Sequence, residues 1–186
     1  MLLSTRRVHT GRVVSLDIDT VQFPNGTVGE LEMFRHPGAA AVVPFLDDPA
    51  EADPRVLLIR QFRHAADGWL WEIPAGRRDG DEPPLTTAHR ELAEETGYRA
   101  ERMEPIASIW ATPGFTDERI HLFQASGLTP GASNREGDEV LEMHPMRLSE
   151  AIRMVQYGTI QDAKTIIALL SLAVARPSFV RSGSSG

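Results

Sequence analysis

Apolar and polar positions along the chain fall into short runs of two different periods. Residues 6–22 and 27–35 read as strands around FPNGT, whose Pro-Asn-Gly at 24–26 is a turn signal. This predicts an N-terminal antiparallel hairpin layer. Val13, Val14, Leu16, Ile18 and Val21 give it apolar surface that a hairpin alone cannot bury, so it must pack on something else. GAAAVVPFL, residues 38–46, is a nearly continuous apolar run, the pattern of a buried strand. An acidic, proline-bearing loop at 47–54 leads to a further strand, RVLLIRQF, at 55–62, and WLWEIPAG (69–76) is a short apolar piece that ends in a Pro and a Gly.

The period then lengthens. Residues 84–96 predict a helix with Leu85, Ala88 and Leu92 as its apolar stripe and Gly97 as its C-terminal stop. Strands at IASIWA and HLFQAS (121–126) flank TPGFTDE (112–118), and helices are expected at 148–157 and 162–175. No internal repeat is visible. The order of elements is that of an α/β protein. It divides into an N-terminal β layer, residues 1–36, that is a candidate for dimerisation, and a main domain over 37–176. The low-complexity tail at 177–186 is expected to be disordered.

Composition narrows the partners. With 186 residues and 41% apolar content, one domain can build an ordinary core. The net charge of −7 argues against a general nucleic-acid surface, which needs a basic stripe. It leaves room for a small anionic substrate, because local arginines or a bound metal reverse the field. There is no cysteine, hence no disulfide and no thiolate zinc site. No signal peptide is read around Arg6 and Arg7, and no apolar run approaches a membrane span, so a soluble cytoplasmic protein is expected.

One cluster stands against this ordinary background. On a helical wheel at about 100° per residue, Glu91 and Glu95 lie one turn apart and Glu94 lies on the same face. Glu95 borders the apolar stripe. Arg90 precedes Glu94 by four residues and can pair with it, but one arginine does not neutralise three carboxylates. Acidic residues late in a helix also oppose its dipole. The arrangement is costly unless a cation sits on that face, and carboxylate oxygens suit magnesium or manganese. The competing reading is a solvated acidic face, which is weakened by the position beside the core stripe and a glycine-bearing loop.

Gly76, five residues, Glu82, seven residues, then Arg90-Glu91-Leu92-Ala93-Glu94-Glu95-Thr96-Gly97-Tyr98 resembles the Nudix box at all nine specified positions across 23 residues, with Tyr98 a mild variant of the last apolar one. The resemblance implies a Nudix fold, an α/β/α sandwich with a mixed sheet, and magnesium-dependent (or manganese-dependent) hydrolysis of a nucleoside diphosphate linked to another group. It implies Glu91 and Glu95 as metal ligands, Glu94 as a third with a share in catalysis, and the carbonyl of Ala75 as a backbone ligand. Arg90 would orient the glutamates, and Glu82 ranks second to them.

Sequence outside the box is similar to the ADP-ribose pyrophosphatase group: PGFTDE (113–118), with Pro113 sixteen residues after Gly97, together with RQFR (60–63), EIPAG (72–76) and the N-terminal strand segment, which in that group swaps across a homodimer. The expected substrate is therefore ADP-ribose, cleaved to AMP and ribose 5-phosphate. Relatives with the same marker cleave GDP-mannose and other nucleoside diphosphate sugars, and a non-catalytic nucleotide-sugar sensor is the alternative of another class. Arg60 and Arg63 are expected to offer forked guanidiniums to the diphosphate from one face of their strand. Phe115 is expected to border the ribose or base pocket. A general base often comes from a late acidic loop in this family. NREGDEVLE (134–142) supplies Glu136, Asp138, Glu139 and Glu142, of which Glu139 fits best.

Overall fold

The computed structural model describes residues 1–131 and 141–176. Within them the chain runs β1 (Leu2–Thr10), β2 (Ser15–Gln22), β3 (Val28–Arg35), β4 (Ala39–Pro44), β5 (Arg55–Arg63), β6 (Gly68–Glu72), β7 (Ala75–Arg77), α1 (Pro84–Thr96), β8 (Tyr98–Trp110), β9 (Arg119–Pro130), β10 (Leu141–Arg147), α2 (Leu148–Gln156) and α3 (Ala163–Val174). Glu136, Asp138 and Glu139, and the tail from residue 177, lie outside the described residues.

Three sheets result. β7-β4-β9-β8 is mixed, with β4 parallel to β9 and every other pairing antiparallel. β10-β5-β6 and β1-β2-β3 are antiparallel. The apolar run predicted as a buried strand becomes β4, and its two faces serve different partners. Ala40 and Val42 pack with Ala88 and Leu92 of α1 and with Phe123 and Ala125. Ala41 and Val43 join Phe45, Val56, Leu58 and Ile73, together with Ala151 and Ile152 of α2 and Ala168, Leu169 and Leu172 of α3. A strand between two layers has no polar side, which is why its sequence shows no alternation. Each valine, leucine or isoleucine side chain buried in this way contributes about 1.5–3 kcal/mol, and each alanine less. The α/β/α sandwich expected from the sequence is formed by α1 on one face of the mixed sheet and α3 on the other.

The N-terminal layer differs from its sequence reading. The segment 6–22 is two strands, broken by a tight turn in which the Gly11 N–H donates to the Val14 carbonyl at 3.0 Å. β1, β2 and β3 therefore make a three-stranded sheet rather than a hairpin. The most buried side chains of β2 are not its aliphatics but Asp17 and Asp19. They are covered by Arg7 of β1 and Arg35 of β3, with Thr5 donating to Asp19 at 2.8 Å. The hydrogen bond from Arg7, against the cost of burial, holds the Asp17 carboxyl below its ordinary range. Arg35 also reaches Asp117 at 3.3 Å, while Asp117 accepts the His36 N–H at 2.8 Å and its own N–H donates to the Phe34 carbonyl. The layer is thus bolted by ions and backbone to the loop at 112–118. Apolar residues remain in water on it: Leu2, Leu3, Val8, Val13, Val28, Leu31 and Phe34 are all exposed. No helix among the described residues is long and apolar enough to cross a membrane.

Candidate active site

α1 begins and ends as its sequence dictates. Pro84 sits in the first turn, where a missing N–H costs nothing, and Gly97 closes the helix in the left-handed region at φ 75° with its N–H donating to the Ala93 carbonyl. The buried stripe is shifted from the expected one. Ala88 and Leu92 are fully buried, but Leu85 is exposed, and Thr87, Glu91, Glu95 and Thr96 are buried instead. The helix is thus turned so that its acidic face, not a purely aliphatic one, lies against the loop that precedes it.

That loop is built to receive it. A β-carbon at residue 76 would collide with the carboxyl carbon and both oxygens of Glu91, so any larger residue there would push that carboxylate aside. Next to it the Ala75 N–H donates to Glu95 Oε2 at 2.9 Å, and Glu95 is 1% exposed. Arg90 collects the other acids. Its guanidinium donates to Glu91 (2.7 Å), Glu94 (3.0 Å), Glu82 (3.0 Å) and the Arg77 carbonyl (2.8 Å). Burial opposes the Arg90 charge, but Glu82, Glu91 and Glu94 outweigh it and hold its pKa above the ordinary value. The hydrogen bond from Arg90 likewise lowers the pKa of Glu82, which also accepts from Thr87 at 2.8 Å.

Among the described residues no three carboxylates or histidines converge as a ready cation shell. The arginine explains this, because it draws Glu82, Glu91 and Glu94 to itself. The donor set nevertheless fits a hard divalent ion: anionic oxygens and backbone carbonyls on a face that already gathers around a positive charge.

Two lobes of one cleft open above this face. The first, about 580 Å³, is lined by Arg90, Glu91, Glu94, Asp79, Gln61 and, from the turn of the N-terminal layer, Arg12 and Val13. The second, about 420 Å³, is lined by His36, Trp110, Thr112, Glu118, Asp162 and Lys164. Arg63, Ala75, Gly76 and Arg77 line both. One elongated ligand can therefore bridge an acidic end and a more apolar end.

The structure separates residues that the sequence reading grouped. Arg60 and Arg63 do not share a face, because positions three apart on a strand point to opposite sides. Arg63 turns to the cleft. Arg60 lies over the rings of Trp69 and Trp71 and within 3.8 Å of Glu142, and lines neither lobe. Phe115 also lines neither lobe; its ring meets Phe34 edge to face, with centroids 6.2 Å apart. Ala75, Arg90, Glu91 and Glu94 do line the cleft, and Glu95 lies beneath it against the Ala75 N–H.

A charge cluster went unread. Glu72, 1% exposed, accepts a forked pair from Arg63 at 2.7 and 2.8 Å and a bond from Lys164 at 2.5 Å, and Lys164 also reaches Asp162 at 3.0 Å. Burial would raise the Glu72 pKa, but Arg63 and Lys164 together lower it. The signal was an acid inside the apolar run WLWEIPAG and a lone lysine in the first turn of the apolar helix AKTIIALL.

Comparison with known proteins agrees with this geometry. A NUDIX domain matches over residues 35–169. The chain is 38% identical over 169 residues to a methanol dehydrogenase activator from Bacillus methanolicus, covering 90% of this chain and 89% of that one. It is 35% identical over 169 residues to an ADP-ribose pyrophosphatase from Bacillus subtilis (strain 168), with the same coverage. The crystal structure of an ADP compounds hydrolase shares the fold, with a TM-score of 0.77 at 20% identity over 92% of this chain and 91% of that one. The domain match, the box helix and its glycine agree: the chain belongs to the NUDIX family.

Proposed function

We propose that the protein hydrolyses ADP-ribose to AMP and ribose 5-phosphate with magnesium or manganese bound on the acidic face of α1. The carrying observation is the junction of the two lobes, where Glu91 and Glu94 line one end, Arg63 and Gly76 lie between, and a larger apolar share lines the other. A diphosphate spanning that junction meets a cation site at one phosphate and a guanidinium beside it. The name of the Bacillus subtilis relative supports the choice of substrate.

Glu91, Glu95, Glu94 and the Ala75 carbonyl would hold the ion, whose chemistry is to neutralise phosphate charge and acidify water. Arg90 would orient the carboxylates for the ion through its hydrogen bonds to Glu82, Glu91 and Glu94. Arg63, kept extended by Glu72, offers its remaining edge to phosphate. Glu139, assigned from the family resemblance, takes the proton from the attacking water. The exposed apolar strip of the N-terminal layer supports a homodimer in which β1–β3 pack on a second copy, and the absence of a membrane-spanning helix among the described residues is compatible with a cytoplasmic place of action.

The test is a panel of ADP-ribose, GDP-mannose, other nucleoside diphosphate sugars and dinucleotides, with magnesium, manganese or excess EDTA and products identified by mass. ADP-ribose should give the highest kcat/KM, at AMP plus ribose 5-phosphate, and EDTA should abolish it. Turnover unaffected by EDTA sinks the cation site; preference for GDP-mannose moves the substrate assignment.

A further inference from the structure

Gln61 carries a feature that the catalytic scheme leaves unused. It sits on β5 two residues before Arg63 and so on the same face, 7% exposed, in the wall of the lobe that holds Arg90, Glu91 and Glu94. Its side-chain oxygen is buried without a hydrogen-bond partner. A buried acceptor left unpaired destabilises a fold, and native structures rarely tolerate one without a use.

A donor held in the lobe that Gln61 lines would supply the partner. Four guanidiniums line the lobe and none bonds that oxygen: Arg63 donates to Glu72, Arg90 to three glutamates and a carbonyl, Arg77 to the Arg12 carbonyl, and Arg12 has a partner of its own. A diphosphate has only acceptors. Water on a hard divalent ion beside Glu91 and Glu94 is a donor of fitting chemistry, since magnesium and manganese keep part of their hydration shell when bound by a few carboxylates. We propose that Gln61 is a positioning residue for the cation, accepting a hydrogen bond from an ion-bound water. This rests on the cation site proposed above.

The measurement is the Mn²⁺ dissociation constant without nucleotide, from the paramagnetic resonance signal of free Mn²⁺, alongside the melting temperature of metal-free protein. Gln61→Met keeps length and volume but removes the acceptor; Gln61→Glu keeps an acceptor. Gln61→Met should weaken Mn²⁺ binding about tenfold, as loss of outer-shell partners does, while its metal-free form melts no lower than wild type. Gln61→Glu should bind at least as tightly as wild type. If Gln61→Met binds Mn²⁺ within twofold of wild type, the assignment is overturned. If Gln61→Glu weakens binding as much as Gln61→Met, the contact runs through the amide N–H, and the acceptor role is overturned. Wild type that binds no Mn²⁺ removes the cation site itself; wild type that binds while Gln61→Met is unchanged removes only the role of Gln61.

Discussion

The carboxylate of Glu91 fills the space where a side chain on residue 76 would begin, so helix and loop interlock at one missing β-carbon. Gly76→Ala should force Glu91 away. Misplacing a group by about 1 Å costs on the order of a hundredfold in rate, and overpacking costs about 1–3 kcal/mol of stability. Steady-state kinetics and a melting curve read both. A kcat equal to wild type would show that Glu91 has no required position.

Glu95→Gln should lose far more turnover than Glu82→Gln. Glu95 is buried against the Ala75 N–H beneath the cleft, whereas Glu82 is held by Arg90, Thr87 and the Asp79 N–H. Loss of an ion ligand, the role proposed for Glu95, is worth about a thousandfold in rate, or about 4 kcal/mol. Equal small effects in kcat would make the helix face structural.

The Glu72 cluster sets an acid limit. The folded pKa of Glu72 is lowered by Arg63 and Lys164 against the burial that would raise it, so its stabilisation is complete above the unfolded value of about 4.3 and fades as pH falls through the lower folded one. Glu72→Gln should cost roughly 3 kcal/mol at neutral pH, as breaking a buried pair does. In urea titrations that gap from wild type should close below about pH 4. A gap that stays constant to pH 3 contradicts the pairing as its source.

Glu139→Gln should lower kcat with little change in KM, because a proton acceptor acts on the transition state. Glu136→Gln and Glu142→Gln serve as controls. Wild-type kcat in Glu139→Gln with loss in either control reassigns the base.

Leu3→Glu combined with Val8→Glu should convert a dimer to a monomer by light scattering, since both lie exposed on β1. The penalty is charge placed on an apolar contact. Wild type that is monomeric at assay concentration ends this proposal.

Local signals carried most of the architecture. Pro84 and Gly97 bracket α1, and the unbroken apolar run at 38–46 announces a strand covered on both sides. What depended on long-range partners was not readable. Leu85 looks like core at helical spacing, but α1 is rotated because Gly76 admits Glu91, 15 positions away in sequence. Phe115 in a marker loop resembles a ligand contact, yet β3 draws the loop aside through the Phe34 backbone. Arg63 and Glu72 read as separate charges until antiparallel β5 and β6 bring them together.

The two faces of β4 bear on the acidic helix by different routes. Ala40 and Val42 carry the acidic helix, while Ala41 and Val43 belong to the larger cluster that unites α2, α3 and the second sheet. The even positions therefore bear directly on the seat of the acidic helix, while the odd positions reach the same carboxylates from beneath, through Ile73 and Ala75 of the loop whose N–H holds Glu95.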